Sequence, residues 1–144
     1  KTSLSLPCFI FCHQTNRVAA VHAGWRGVLN GIILKTVKKF IETGSTDQKF
    51  DFFIGPHIRF DSFEVKEDLV MEFTKKFSGF DKYINRSIDR IFVNLEDLVK
   101  DSISSQYQNS QFFSVELDTF KESRFNSFRR DKTAKRNLSF IVRK

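Results

Sequence analysis

An α/β domain with mixed sheets layered against helices is the fold class that this sequence predicts, and three observations predict it. Short apolar runs bounded by polar turns recur along the chain and read as strands. Between them lie stretches whose apolar residues fall on one helical stripe. The two kinds of segment interleave, with no internal repeat, no low-complexity tract and no linker, so residues 1–144 are expected to form one domain.

The elements follow in order. Leu4 to Cys12, "LSLPCFIFC", reads as a buried strand, "HQTN" as a polar turn, and Arg17 to Val21 as a second strand. After Gly27, the residues Val28, Leu29, Ile32, Ile33, Val37, Phe40 and Ile41 share one stripe, opposite Lys35, Lys38 and Lys39, which predicts a single helix stopping near Gly44. Phe50 to Ile54 is a strand ending at Gly55-Pro56, and Phe60 to Val65 a further extended piece. A helix carrying Leu69, Val70, Phe73 and Phe77 comes next. Asn94 followed by Asp97 is a capped helix start, with Leu95, Leu98, Val99 and Ile103 on the buried face. Gln111 to Val115 and Leu138 to Val142 are predicted as the last strands.

Composition narrows the function classes. The chain is 40% hydrophobic and 28% charged, which is globular, and it carries 18 Phe. No apolar run approaches the ~18 residues of a membrane span, and nothing at the start reads as a signal peptide. Cys8 and Cys12 sit four apart on one strand, a spacing that suits neither a disulfide framework nor a zinc knuckle, so a reducing cytoplasm is expected. A net charge of +7 favours anionic partners, with the excess greatest in "RRDKTAKR", Arg129 to Arg136. A nucleic-acid-binding module using this basic segment is the weakest of the readings kept open. The aromatics are mostly Phe at core-periodic positions and make no exposed stacking platform.

The chemistry-bearing stretch is "VAAVHAGWRGVLNGI", Val18 to Ile32. The second strand delivers His22 at its end, Gly24 and Gly27 permit a tight turn, and the first turn of the following helix offers unpaired N–H groups. Arg26 adds a guanidinium fork suited to phosphate or carboxylate. Trp25 either stacks on a flat ring or plugs the core. The expectation is one anion-binding crevice into which both His22 and Arg26 turn.

"VAAVHAGWRG" closely resembles the signature of the YfiH-like family, also called the laccase-domain or polyphenol-oxidase type. "FFIGPHIRFDSFEV", "NLEDLVKDSI" and "DTFKESRFNSFRRDKTAKRNLSFI" resemble later segments of that family in the same order. The resemblance implies a YfiH-like α/β fold, here without the N-terminal part of the family domain. It implies cytoplasmic, zinc-dependent purine nucleoside chemistry: phosphorolysis of adenosine, inosine and methylthioadenosine, and adenosine deamination. Purine nucleoside and phosphate are the implied partners, a homo-oligomer is compatible with it, and no membrane is involved. A copper oxidase is disfavoured, since only His13, His22 and His57 are present.

Site residues carry over unevenly. Of the family's metal ligands only His22 matches; with Pro7 aligned on the family's proline, the ligand cysteine falls on Ser5 and its preceding aspartate on Leu4, and the upstream histidine has no counterpart. Strand phase turns Cys8 away from Ser5, so Cys8 and Cys12 are expected to be core thiols. A serine hydroxyl is a poor substitute for a thiolate, so zinc is weakened or lost in this reading. His22 and Arg26 are the expected catalytic pair, and Arg26, Arg129, Arg130 and Arg136 the expected phosphate holders. Lys135 stands where glycine is usual. His57 is expected in a surface or loop role, His13 in a solvated turn, and Asp118 and Glu64 at capping, surface or arginine-orienting positions. The alternative to an enzyme is a non-catalytic remnant that binds an anionic ligand or a partner protein. A thiol hydrolase built on either cysteine is not supported by the strand phase.

Overall fold

The computed structural model describes residues 5–142. The first strand, β1 (Ser5–Cys12), lies between β2 (Arg17–Gly24) and β3 (Phe50–Ile54), antiparallel to both. A later strand, β7 (Gln111–Ser114), adds to β3 in parallel, giving a mixed four-stranded sheet in the order β2-β1-β3-β7. The fold class predicted from sequence is the one observed.

Alternation decides what this sheet presents on each side. Leu6, Cys8, Ile10 and Cys12 are buried on one face of β1, while Ser5, Pro7, Phe9 and Phe11 stand on the other. Pro7 is tolerated in this central strand for a geometric reason. Its carbonyl turns toward β3 and accepts from Gly55 N at 2.9 Å, past the last β1–β3 pair at Cys8 and Ile54. The donor it lacks is therefore not missed by the β1–β2 ladder. A side chain at Gly55 would bring its Cβ to 3.0 Å from Pro7 Cγ, which is why glycine occupies this crossing.

The helix expected after Gly27 is two helices, α1 (Trp25–Leu29) and α2 (Ile32–Glu42). Gly31 separates them with φ +68°, a left-handed conformation that an interior helical residue does not adopt. The apolar stripe continues across the break, so periodicity alone does not reveal it. Ile33, Val37 and Phe40 of α2 cover the inner sheet face, and Phe40 lies 6.0 Å from Phe50. On the same side, α4 (Leu95–Ser104) contributes Leu98, Val99 and Ile103 to the core, and Asn94 caps it by accepting from Asp97 N at 3.0 Å. Much of the unusual Phe content is thereby explained: Phe50, Phe52, Phe63, Phe73 and Phe80 are fully buried.

A second sheet went unpredicted. Residues Glu64–Val65 (β4), Ile84–Arg86 (β5) and Ile91–Val93 (β6) form a small antiparallel sheet in the order β4-β6-β5. Strands of two or three residues carry too few alternations to register as a pattern. The extended piece expected over Phe60 to Val65 is a 3₁₀ turn (Phe60–Ser62) leading into β4. The expected helix is present as α3 (Glu67–Lys76), and a short α5 spans Phe128–Asp131.

One predicted strand does not form. Leu138 to Val142 is irregular, and Leu138, Phe140 and Val142 are largely exposed. Its alternation is strand-like, but among the described residues no strand lies beside it to supply a ladder.

Candidate functional site

The strand register brings His22 and Ser5 to the same place. His22 is opposite Pro7 and Ser5 is opposite Gly24, so both side chains fall on the outer face of the sheet. They line a cavity of about 520 Å³ together with Thr119, Asn126, Lys135 and Arg136. The C-terminal segment is held there by a reciprocal amide clasp. Asn137 Oδ1 accepts from Asn126 N at 2.9 Å, and Asn137 Nδ2 donates to Asn126 O at 2.9 Å. Arg136 Nη1 donates to the carbonyls of Ala134 and Lys135 in its own loop. Among the described residues, no carboxylate pairs with Lys135 or Arg136, so two cations at this opening are available to an anion.

Arg26 is elsewhere. Its guanidinium carbon sits 4.4 Å above the Trp25 ring, and both line a second groove of about 440 Å³ that also contains Arg129, Lys66 and Glu72. The single crevice expected for His22 and Arg26 is thus two grooves, with His22 and Arg136 in one and Arg26 and Arg129 in the other. The expected anion site at a helix start is also corrected. Helix α1 has only five residues, and its N-cap Gly24 supplies no side-chain hydrogen bond, so little dipole accumulates. Trp25 packs against Phe73 at 6.4 Å at the edge of the core and carries the Arg26 guanidinium over its ring, so the core role is the one observed. A Cβ at Gly27 would come within 3.3 Å of Ile32 Cγ2, a tight but not forbidden contact.

Two of the expected phosphate holders are engaged by the protein itself. Arg129 Nη1 donates to the Glu64 carbonyl, and burial pushes its pKa down against the opposing pull of the Glu64 carboxylate. Arg130 lines neither groove. Its guanidinium donates to the carbonyls of Thr119, Phe120, Glu122 and Phe125 and to the Asp131 carboxylate. That is the bonding of a structural clasp.

His57 lies in the loop after β3, as expected, but it is buried and not at the surface. It is 4% exposed, its Nδ1 lies 3.0 Å from Gly55 O and its Nε2 lies 3.3 Å from Glu96 Oε2. Arg59 and Lys100 reach the same Glu96 carboxylate at 3.3 and 2.6 Å. Burial raises the pKa of Glu96, but the His57 and Lys100 hydrogen bonds outweigh it and bring it down to about 2. Sequence reasoning missed Glu96; its one readable signal was the i,i+4 spacing to Lys100. Asp118 is buried too, accepting from Ser62 Oγ at 2.6 Å and Phe120 N at 2.8 Å, so it orients a loop and no arginine. His13 pairs with Asp51 at 2.8 Å.

These positions test the metal that the resemblance implies. Among the described residues, no group of three or more His, Cys, Asp and Glu side chains is placed to hold an ion. Ser5 shares the cavity with His22, but a neutral hydroxyl is a weak donor to zinc. Cys8 faces the core, and burial pushes its thiol up to about 12, so it supplies no thiolate. The three histidines occupy three separate environments and do not form a copper cluster. The donors of the described residues therefore fit neither metal. A corollary is that Cys8 and Cys12 resist a thiol reagent such as DTNB in the folded protein, and both react once it is unfolded in denaturant. Rapid native labelling of Cys8 would contradict the packing of β1.

Residues 5–144 match the family model described as multi-copper polyphenol oxidoreductase laccase. The chain belongs to that family. Among the curated members of the laccase family, the "Purine nucleoside phosphorylase" of Clostridium acetobutylicum is 32% identical, over 99% of this chain and 61% of its own length. The "Purine nucleoside phosphorylase YfiH" of Shigella flexneri is 30% identical, over 92% of this chain and 54% of its own. A solved member from Neisseria meningitidis superposes with a TM-score of 0.77 at 25% identity, covering 90% of this chain and 53% of that one. This laccase-family chain thus spans a little over half the length of the relatives it matches. Among its described residues, no helix is long and apolar enough to cross a membrane.

Proposed function

We propose that the cavity beside His22 binds a purine nucleoside together with phosphate, and that the chain takes part in phosphorolysis of the N-glycosidic bond. The single observation that carries this reading is the convergence of His22, Lys135 and Arg136 on one opening of about 520 Å³. In phosphorolysis a phosphate oxygen attacks the ribose anomeric carbon while the base departs with the bonding electrons. Positive charge develops on the ribose, and the phosphate must be held in line with it. Lys135 and Arg136 attract and hold the anion, as unpaired cations do at a partly enclosed opening. His22 presents its imidazole within the same walls, and Thr119 and Asn126 offer neutral hydrogen bonds for a base or sugar. Deamination of adenosine is a second reaction of the same substrate class. The names carried by the relatives support the nucleoside, and the cavity supports the anion.

The incomplete metal donor set favours a second reading, in which the cavity binds these ligands without turning them over. The two readings separate in one set of measurements. Catalysis gives phosphate-dependent release of hypoxanthine from inosine, falling at least 100-fold in His22→Ala, with inosine plus phosphate raising Tm. Binding alone gives the Tm rise with no free base. Absence of both the Tm rise and base release removes the nucleoside assignment.

A further inference from the structure

The cavity beside His22 is lined by two unlike sets of side chains. Strand pairing sets Pro7 opposite His22 and Phe9 opposite Ala20, so these four stand together on the outer face of the sheet. They make one mostly apolar layer against which a planar ring can lie. Much of the remaining lining comes from residues 135–139, which bring Lys135 and Arg136. Among the described residues that line this cavity there is no Asp or Glu. The groove at Arg26 and the cluster at His57 differ in this respect, since Glu72 lines the first and Glu96 the second. Only here do uncompensated cations border an apolar layer, a lining that suits a ligand with a flat ring at one end and a strong anion at the other.

A nucleoside and free phosphate are two ligands, and each loses its translational and rotational freedom on entering. A nucleoside 5′-monophosphate joins ring and anion covalently and loses that freedom once. With its ring seated, its phosphate meets the cations at an effective concentration on the order of millimolar. That phosphate carries about −1.5 to −2 charge at pH 7, a match for one lysine and one arginine. Both ends fall within one opening of about 520 Å³.

We propose that the tightest ligand of this cavity is a purine nucleoside 5′-monophosphate, an inference that rests on the nucleoside reading above. The ring lies against Pro7, Phe9 and Ala20, and the phosphate meets Lys135 and Arg136. The consequence is regulatory. In a β-nucleotide the 5′ substituent and the base are on the same face of the ribose, so the tethered phosphate is not in line to displace the base. The nucleotide therefore occupies both places without being cleaved, and it excludes nucleoside and free phosphate together.

The test is calorimetric titration of the 144-residue chain with inosine 5′-monophosphate, inosine and inorganic phosphate. The nucleotide is expected to bind tighter than inosine by about tenfold or more. It should compete with phosphate, whereas inosine and phosphate bind together. Lys135→Ala should weaken the nucleotide by about tenfold and leave inosine unchanged. Lys38→Ala removes the same charge from the exposed side of α2 and should change neither. Circular dichroism checks that the variants keep their fold. The proposal is overturned if the nucleotide binds no tighter than inosine, or if nucleotide and phosphate bind together. It is also overturned if Lys135→Ala leaves the nucleotide unaffected, or if Lys38→Ala weakens it equally. Inosine that still binds in those cases leaves the nucleoside reading standing. Binding of the nucleotide alone, with no inosine bound and no base released, removes that reading and retains the nucleotide site.

Discussion

Glu96→Ala lowers the unfolding free energy by about 3–5 kcal/mol, the range found when one member of a buried charged cluster is removed. Glu96 is 6% exposed and its two oxygens face His57, Arg59 and Lys100. Truncation leaves those groups pointing into an emptied space, and His57 has almost no access to water as a substitute. Glu96→Gln keeps the shape and removes the charge, so it is expected to lose less.

The same site gives a pH dependence with a fixed sign. Burial raises the pKa of Glu96, but hydrogen bonds and charge from His57 and Lys100 bring it from an ordinary 4.5 to about 2. A carboxyl whose folded pKa is depressed stabilises fully above its unfolded value and loses that contribution as pH falls through the folded one. Urea denaturation of the wild type should therefore lose about 3 kcal/mol from this group between pH 5 and pH 2, and Glu96→Gln should lack that component. Parallel stability curves for the two proteins across this range would refute the assignment. The consequence reaches the cavity, because Glu96 fixes His57, and His57 follows Gly55-Pro56, which is tied to Pro7 in the cavity wall.

What the sequence made legible is what repeats within one element. Alternation in β1 placed Cys8 in the core and put Ser5 on the opposite face, and the register of β2 then set His22 beside it. Asn94 with Asp97 marked the start of α4 correctly, since a cap is a local bond between residues three apart. The failures needed information from other elements. Gly31 breaks a helix whose stripe runs on undisturbed. Leu138 to Val142 has the pattern of a strand but, among the described residues, no neighbour. His57 reads as a surface histidine until Glu96 arrives from 39 positions away. Arginine side chains were the least legible group, because a guanidinium serves equally well for a phosphate or for a set of backbone carbonyls, and only the fold decides which it meets.

Arg130 is the clearest instance, and its replacement carries the second large effect. Arg130→Ala is expected to destabilise the fold, since several hydrogen bonds from one charged donor are lost together. Nη1 binds Thr119 O, Phe120 O and Glu122 O at 3.1, 2.9 and 3.1 Å, while Nη2 reaches Phe125 O at 2.6 Å. Nε and Nη2 together hold the Asp131 carboxylate at 2.7 Å, and Asp131 in turn accepts from Ser127 N. One planar fork thus ties the loop over residues 119–125 to α5. Lysine has the charge without the fork, so Arg130→Lys should recover only part of the loss. Hydrogen exchange resolves where the effect lies: faster exchange is expected over residues 119–131, with β1 and β2 unaffected at low denaturant. A phosphate-holding role predicts the opposite pattern, with weaker phosphate binding and unchanged stability. That pattern is expected of Arg136→Ala, whose side chain borders the cavity and bonds only to its own loop. If the two substitutions exchange these behaviours, the division of labour between the arginines is wrong and the anion site must be redrawn around Arg130.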